Sequence, residues 1–213
     1  MKNDFDREYY EDGLVTGKSG YVNYRWMPEL TIKMAYNIIK HLNLKDGESV
    51  LDFGCAKGFV VKSLKILDIN AYGCDISSYA IDNLETEVRN CCKLINSESK
   101  SVIPFEKKFD WIMSKDVLEH ISEEGLDIFL EESFGKTDKM FHIIPLADKK
   151  GSYIVPDYEF DKTHILRKDL NWWIQKFKSK GWNNVSFEYK IKGIKENWTN
   201  KYAFGNAFFI VKK

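Results

Sequence analysis

The chain has 213 residues, 44% of them hydrophobic and 15% aromatic, and its 32 Lys and Arg balance 32 Asp and Glu. This composition predicts one globular domain and excludes a disordered or fibrous chain. Because its net charge is zero, the chain does not have the positive electrostatic field that is typical of a nucleic-acid-binding protein. We therefore expect no nucleic-acid partner. The charged opening and the absence of an apolar run of about 18 residues predict a cytoplasmic protein with no membrane partner.

The first 29 residues form a Tyr-rich segment with three glycines and no clear period. We interpret residues 1–29 as a lid, because amphipathic rings can close over a small ligand and glycines permit movement. Tyr21, Tyr24 and Arg25 are its candidate acceptor-binding residues. Packing of the segment against the first helix is the alternative.

Residues 30–213 show apolar patterns that alternate between helix and strand. The last two strands are too close in sequence for a helical crossover, so we expect them to be antiparallel to each other. The result is an α/β, doubly wound sheet with one reversed strand. The predicted helices are Leu30–Leu44, one from about Gly58, one from Ser77 or Ser78 to about Cys92, Glu123–Phe134 and Arg167–Lys180. The predicted strands are Val50–Phe53, Ala71–Asp75, Phe109–Ser114, Lys139–Leu146, Val185–Ile191 and Asn206–Lys213.

The first predicted strand leads into "LDFGCAKG", which places Asp52 before Gly54 and Gly58. A nicotinamide site would show G-x-G-x-x-G here, and a carboxylate in that turn would repel a pyrophosphate. The same carboxylate suits S-adenosylmethionine, which carries an ammonium and a sulfonium group. Asp75 ends the next strand at a spacing that suits ribose hydroxyls in this type of fold, and Ile76 would lie against adenine.

The sequence from about Val50 to the C-terminus resembles the class I S-adenosylmethionine-dependent methyltransferases of the small-molecule branch. The resemblance is carried by "LDFGCAKG", "GCDIS" and "FDWIMSKDVLEHI". It implies a seven-stranded Rossmann-like sheet with the last strand antiparallel, S-adenosylmethionine as cofactor, and methyl transfer by in-line displacement. It also implies cofactor contacts from Cys55, Ala56, Ser114 and Asp116. His120 follows this ligand-lining segment and is either a contact on the acceptor side or a structural support.

Two features depart from the family pattern. Ala56 replaces the usual middle glycine, and the third-strand region "LINSESKSVIPFEKKFD" lacks the Asp that often binds the adenine amino group. Asn96, Ser97 or Ser99 could supply a polar partner in its place.

A hydroxyl acceptor would need a base, and His164 in "DYEFDKTHIL" is the candidate. It follows the fifth strand, at the edge where doubly wound folds bind ligands. We predict that Asp161 orients its ring and raises its basicity. The alternative is that both residues only hold a loop. We expect His41 at the surface and His142 in the core, and, with no Cys-x-x-Cys spacing, we assign no metal ligand.

The sequence leaves the acceptor open. We favour a small-molecule or sugar-linked acceptor with an oxygen nucleophile. "SKDV" after the fourth strand excludes the amino-directed nucleic-acid methyltransferases. A protein acceptor and a non-catalytic partner subunit remain alternatives, and the oligomeric state is not predicted. Residues 160–213 hold 12 Lys and Arg against four Asp and Glu, which favours a further alternative, a phosphate oxygen of an intermediate in surface-polysaccharide modification. Arg25, Arg167 and Lys168 would then matter more than His164.

Overall fold

A computed structural model describes residues 4–96 and 101–213 and shows one seven-stranded sheet. Its order across the sheet is β3-β2-β1-β4-β5-β7-β6, and only β7 runs antiparallel to its neighbours. This confirms the predicted doubly wound sheet with a reversed last strand. The strands are β1 (Ser49–Phe53), β2 (Asn70–Asp75), β3 (Cys92–Leu94), β4 (Trp111–Lys115), β5 (Lys139–Pro145), β6 (Asn184–Glu188) and β7 (Asn206–Lys212).

Helices cover both faces of this sheet, so β1 is buried along its whole length. One face packs against Phe129, Trp173 and Phe177, and the other against Ile38 and Leu64. In the described part of the chain, no helix has the length and apolar character needed to cross a membrane. The helices are α1 (Arg7–Glu11), α2 (Gly13–Thr16), α3 (Pro28–Leu42), α4 (Phe59–Ile66), α5 (Ser78–Asp82), α6 (Glu123–Lys136), α7 (Leu170–Ser179) and α8 (Glu196–Thr199).

The predicted helix from Ser77 to about Cys92 is wrong in its length. Ser77 caps α5 as expected, its side chain accepting a hydrogen bond from the Ala80 N–H, but α5 ends at Asp82. Leu84 and Val88 then turn inward and pack over Gly58. Because that contact needs an irregular path, the helix cannot continue, and the chain enters β3 instead.

The parallel strands bring their carboxyl ends to one edge of the sheet. Asp52 in β1 pairs with Gly73 of β2 on one side and with Met113 of β4 on the other. Residues that follow β1, β2, β4 and β5 therefore meet above this edge, which is where open α/β sheets bind ligands.

Candidate active site

The turn after β1 has an unusual backbone. Gly54, Ala56 and Gly58 all have positive φ angles, of 79°, 48° and 74°. At Gly54 a Cβ atom would come within 2.4 Å of the Val117 side chain, so only glycine fits. Ala56 occupies a conformation that costs a non-glycine residue roughly 1–2 kcal/mol. The departure from the family glycine therefore stores strain at this point.

Two buried carboxylates face this turn. Asp75 accepts hydrogen bonds from the Ala56 N–H, at 2.7 Å, and from the Ser77 N–H, at 2.8 Å. No hydrogen bond from a described residue reaches the Asp52 side chain, although the residue is only 4% exposed. Burial, and then the nearby charge of Asp75, raise the pKa of Asp52 to about 7.

This acidic pair fits S-adenosylmethionine. An unpaired buried carboxylate is costly unless a positive or hydrogen-bonding ligand compensates it. The ammonium and sulfonium groups of the cofactor supply the charge, and its ribose hydroxyls supply donors. Ile76, directly after Asp75, is 45% exposed. The predicted assignment of Asp52, Gly54, Gly58, Asp75 and Ile76 to the cofactor is consistent with this geometry and stays a prediction.

Three other residues predicted at the cofactor have their side chains engaged inside the protein. The Ser114 hydroxyl is fully buried and lies 2.8 Å from Nδ1 of His142. The Cys55 thiol packs beside Gly73 and Cys92. Asp116 is held in ion pairs with two lysines. The structure therefore leaves only the backbone of Cys55 and Ser114 for a cofactor contact.

The Tyr-rich segment covers this edge of the sheet. Tyr9 and Tyr10 are each 4% exposed and form an aromatic cluster with Tyr21 and Tyr24. Tyr10 lies near Asp75, and its pKa is raised by burial and then by that carboxylate. The cluster packs on Ala80 of α5 and on Ala56, rather than on α3.

Polar contacts tie the segment to the elements that surround the cofactor site. The Ser77 hydroxyl donates to the carbonyl of Phe5 at 2.5 Å. Lys57, in the turn after β1, donates to Glu11 at 2.5 Å and to the Tyr24 carbonyl at 2.9 Å. Arg25, in contrast, is exposed, and no hydrogen bond or ion pair links it to any described residue. Its predicted role in acceptor binding therefore has no geometric support here.

Asp116, just after β4, is the centre of a charged cluster. It has a positive φ of 54°, and its two oxygens pair with Lys115 and Lys195 at 2.5 Å each. Burial opposes ionisation, but the two lysines hold the pKa of Asp116 well below its ordinary value. Lys195 comes from the connection between β6 and β7 and has a side chain only 6% exposed. That connection therefore also contributes a buried side chain to the surroundings of the site.

Next to this cluster lie two histidines and a carboxyl group. The rings of His120 and His164 are 4.5 Å apart, and Nε2 of His164 is 3.9 Å from Glu119 Oε1. Nδ1 of His164 is 2.8 Å from the Tyr158 carbonyl, so Nδ1 must be the donor. Burial lowers the pKa of His164, and the charge of Asp161 offsets this only in part.

The prediction that Asp161 orients the His164 ring is wrong, although the charge of Asp161 does act to raise the pKa of His164 as expected. Asp161 Oδ2 lies 4.0 Å from Nε2 of His164, beyond hydrogen-bond length. The carboxylate instead accepts from the Tyr9 hydroxyl at 2.9 Å and from the Thr163 hydroxyl at 2.6 Å. Asp161 therefore fastens the Tyr-rich segment to the loop after β5, and the Tyr158 carbonyl orients the His164 ring.

A cavity of about 350 Å³ opens beside this cluster. It is lined by the Tyr-rich segment, by His120 and by the loop after β5, but not by His164. His120, predicted on the acceptor side, therefore reaches the cavity wall, and His164 lies behind it. Its lining residues are Asp4, Phe5, Lys18, His120, Lys162, Thr163 and Ile165.

The structure also places the remaining residues that the sequence analysis considered. His142 is buried as expected, with Nδ1 bonded and Nε2 without a partner. His41 is half-buried on α3. Asn96 is exposed at the end of the first described range, and Ser97 and Ser99 lie outside the described residues. The sequence did not single out Glu119, which stands in the segment "LEHI" without an assigned role, or Lys195, which stands in no local motif.

Comparison with known proteins agrees with this architecture. Residues 51–135 match a family model described as a methyltransferase domain. A comparison with curated proteins gave no match. Among solved structures, a putative O-methyltransferase from Nostoc punctiforme has a TM-score of 0.63 at 10% identity, over 86% of this chain and 57% of that one. An S-adenosylmethionine-dependent methyltransferase from Archaeoglobus fulgidus has a TM-score of 0.63 at 18% identity, over 87% of this chain and 97% of that one.

A third neighbour is a phosphoethanolamine N-methyltransferase from Haemonchus contortus, with a TM-score of 0.64 at 15% identity, over 100% of this chain and 60% of that one. These structural likenesses show a shared fold. The matched model covers the strands and turns that carry Asp52, Asp75 and His120. Residues 51–135 therefore match a methyltransferase domain, and the chain shares the fold of S-adenosylmethionine-dependent methyltransferases, which supports S-adenosylmethionine as its cofactor.

Proposed function

We propose that this enzyme methylates an oxygen of a small-molecule or sugar-linked acceptor. The observation that carries the proposal is the cover over the site, to which the Tyr-rich segment and the connection holding Lys195 both contribute. The cavity of about 350 Å³ lies within the usual range for small-molecule sites. A peptide or nucleic-acid chain would need an open groove instead.

The hydrogen bonds around His120 favour a hydroxyl nucleophile. The Thr163 hydroxyl proton is committed to Asp161 at 2.6 Å. Nδ1 of His120, 2.8 Å from that hydroxyl oxygen, must therefore be the donor. In the neutral ring, Nε2 then keeps its lone pair. Such a lone pair at the cavity wall can take the proton that an acceptor hydroxyl loses.

The chain's own residues then have distinct tasks in methyl transfer. The donor supplies a methyl group on a positively charged sulfur. Asp52 and Asp75 hold the donor, and the covering segments exclude water and align the acceptor oxygen with the methyl carbon. Bound S-adenosylmethionine would supply the methyl group, with the electron pair of the broken C–S bond left on its sulfur as the new C–O bond forms. The acceptor proton leaves to the histidine.

A phosphate oxygen is the second candidate nucleophile. Lys18 and Lys162 line the same cavity, and ammonium groups bind phosphate well. The Haemonchus neighbour was solved with phosphomonomethylethanolamine, so a protein of this fold binds a phosphorylated molecule, although that enzyme is an N-methyltransferase. An anionic oxygen needs no base, so activity on such an acceptor would survive loss of His120. Lys162→Ala would then chiefly raise the acceptor KM.

The test uses cofactor with an isotopically labelled methyl group and separate pools of small metabolites, phosphorylated sugars and proteins. We expect label in a low-mass product, with a carbon-13 signal of an O-methyl group. Coupling of that signal to phosphorus would identify the phosphate alternative. Label in the protein pool, an N-methyl product, or no transfer from folded enzyme that binds cofactor would contradict the proposal. Asp75→Ala, which removes a predicted cofactor contact, is the negative control.

A further inference from the structure

We propose that Glu119, His120 and His164 form a binding site for one divalent first-row transition-metal ion. No sequence motif indicates this site, because the ligands lie in two segments separated by more than 40 residues and include no cysteine. The inference deepens the proposed function, since the site adjoins the acceptor cavity. Only its catalytic consequence rests on that function.

The three side chains already stand close to a ligating arrangement. One donor atom from each lies within 4.8 Å of the other two. A cation about 2.1 Å from each donor would bring them to separations of roughly 3.0–3.5 Å. The widest donor pair would therefore have to approach by up to roughly 1.5 Å, which side-chain rotation can supply.

Glu119 gives an independent reason for a ligand. Its side chain is fully buried, and both carboxyl oxygens lack a hydrogen-bond partner in the described part of the chain. A buried carboxyl group in this state is costly, and a bound ion is one of the few arrangements that compensate it. Its position is fixed, because the backbone carbonyl of Glu119 accepts from the N–H groups of Ile165 and Leu166. These bonds also join the two ligand-bearing segments.

Both histidines are oriented as metal ligands are. Metal-binding histidines donate their second ring N–H to a carbonyl, carboxylate or similar oxygen, which fixes the tautomer. Nδ1 of His164 lies 2.8 Å from the Tyr158 carbonyl, and Nδ1 of His120 lies 2.8 Å from the Thr163 hydroxyl. In the neutral rings each Nε2 therefore offers its lone pair, and that of His164 lies 3.9 Å from Glu119.

The donor set selects the class of cation. Two imidazoles and one carboxylate suit Mn²⁺, Fe²⁺, Co²⁺ or Zn²⁺ better than Mg²⁺ or Ca²⁺, which prefer all-oxygen sites. Asp116 does not complete the set, because Lys115 and Lys195 already pair with both of its oxygens.

Three protein ligands leave at least one coordination position open, as in catalytic metal sites. His120 lines the acceptor cavity, so an acceptor hydroxyl can reach that position. Coordination to a divalent cation makes a hydroxyl easier to deprotonate. The histidines would then act as ligands, in place of a histidine base, and the proton would pass to solvent.

The test is metal binding without any acceptor. Chelator-treated protein is titrated with Co²⁺, followed by its visible absorption, and with Mn²⁺ and Zn²⁺ by calorimetry. We expect one equivalent to bind. Glu119→Gln keeps the side-chain shape and should weaken binding at least about 100-fold, since even partners of metal ligands contribute 10- to 100-fold. His41→Asn, on α3, is the matched control and should bind as the wild type does.

Failure of folded wild-type protein to bind any of the three ions would overturn the inference, and so would equal binding by Glu119→Gln. His164→Asn gives the same comparison if Glu119→Gln does not fold. The proposed function is judged separately, by methyl transfer to small molecules in the presence and absence of chelator. Methyl transfer by chelator-treated enzyme, together with a failure to bind any of the three ions, would reject the metal site and leave the proposed function intact.

Discussion

Replacing Asp52 by Asn should stabilise the cofactor-free protein. Asp52 is 4% exposed, close to the Asp75 carboxylate, and receives no hydrogen bond from a described residue. Its charged form is therefore disfavoured in the folded state, and the protein is less stable wherever folding must bury that charge. Asparagine keeps the shape and removes the charge.

The pKa of Asp52 sets the size of this effect. Burial and Asp75 raise it from 3.8 to about 7, so folding opposes ionisation over about three pH units. At 1.36 kcal/mol per unit, the cost reaches about 4 kcal/mol at pH 8 and is about 1.5 kcal/mol at pH 5. The sign follows from proton binding. Between pH 4 and 7 the folded protein holds a proton that the unfolded chain has lost, so stability falls as pH rises.

Denaturant unfolding of wild type and Asp52→Asn at pH 5 and pH 8 measures this directly. Comparing the two proteins at each pH removes the contribution of all other titrating groups. We expect the variant to gain about 4 kcal/mol at pH 8 and less than half of that at pH 5. Asp46→Asn, at an exposed carboxylate in a turn, should change stability by no more than about 0.5 kcal/mol at either pH.

Two results would show that Asp52 does not carry this pKa shift. In one, Asp52→Asn is no more stable than wild type at pH 8, and in the other its gain in the free energy of unfolding is the same at both pH values. A cofactor that compensates Asp52 should also raise the melting temperature of wild type more at pH 8 than at pH 5. The variant should bind S-adenosylmethionine more weakly despite its greater stability, because it lacks the charge.

Three further substitutions have expected outcomes. Ala56→Gly should raise the free energy of unfolding, measured with denaturant, by about 1 kcal/mol, since φ is 48° at this position. A lower free energy of unfolding would show that Ala56 is not strained. Tyr9→Phe removes the hydrogen bond to Asp161. The free energy that protects the amides of residues 4–26 from exchange should therefore fall by about 1.5–3 kcal/mol, whereas Tyr36→Phe at an exposed site should leave it unchanged. Gly54→Ala should destabilise by roughly 2–4 kcal/mol through its φ of 79° and a 2.4 Å clash, and unchanged thermal melting would reject this.

The order of most strands and helices, and the turn after β1, could be predicted from local sequence patterns. Apolar periodicity, turn residues and caps act within a few positions of each other, so they can be read locally. The strand ending at Asp52, the glycines of the turn and the second acid at Asp75 are of this kind. The predicted length of α5 was wrong, because the packing of Leu84 on Gly58 overrides the local preference for helix.

The residues that meet on the acceptor side could be identified only from the folded chain. Lys195 reaches Asp116 across 79 residues, and Tyr9 reaches Asp161 across 152. Neither contact has a local signature, because the order of strands in the sheet determines which loops meet above its edge. For the same reason the burial of Glu119 between two histidines cannot be read from "LEHI". Whether a carboxylate is solvated or enclosed depends on the segments that fold over it, and those come from both ends of the chain.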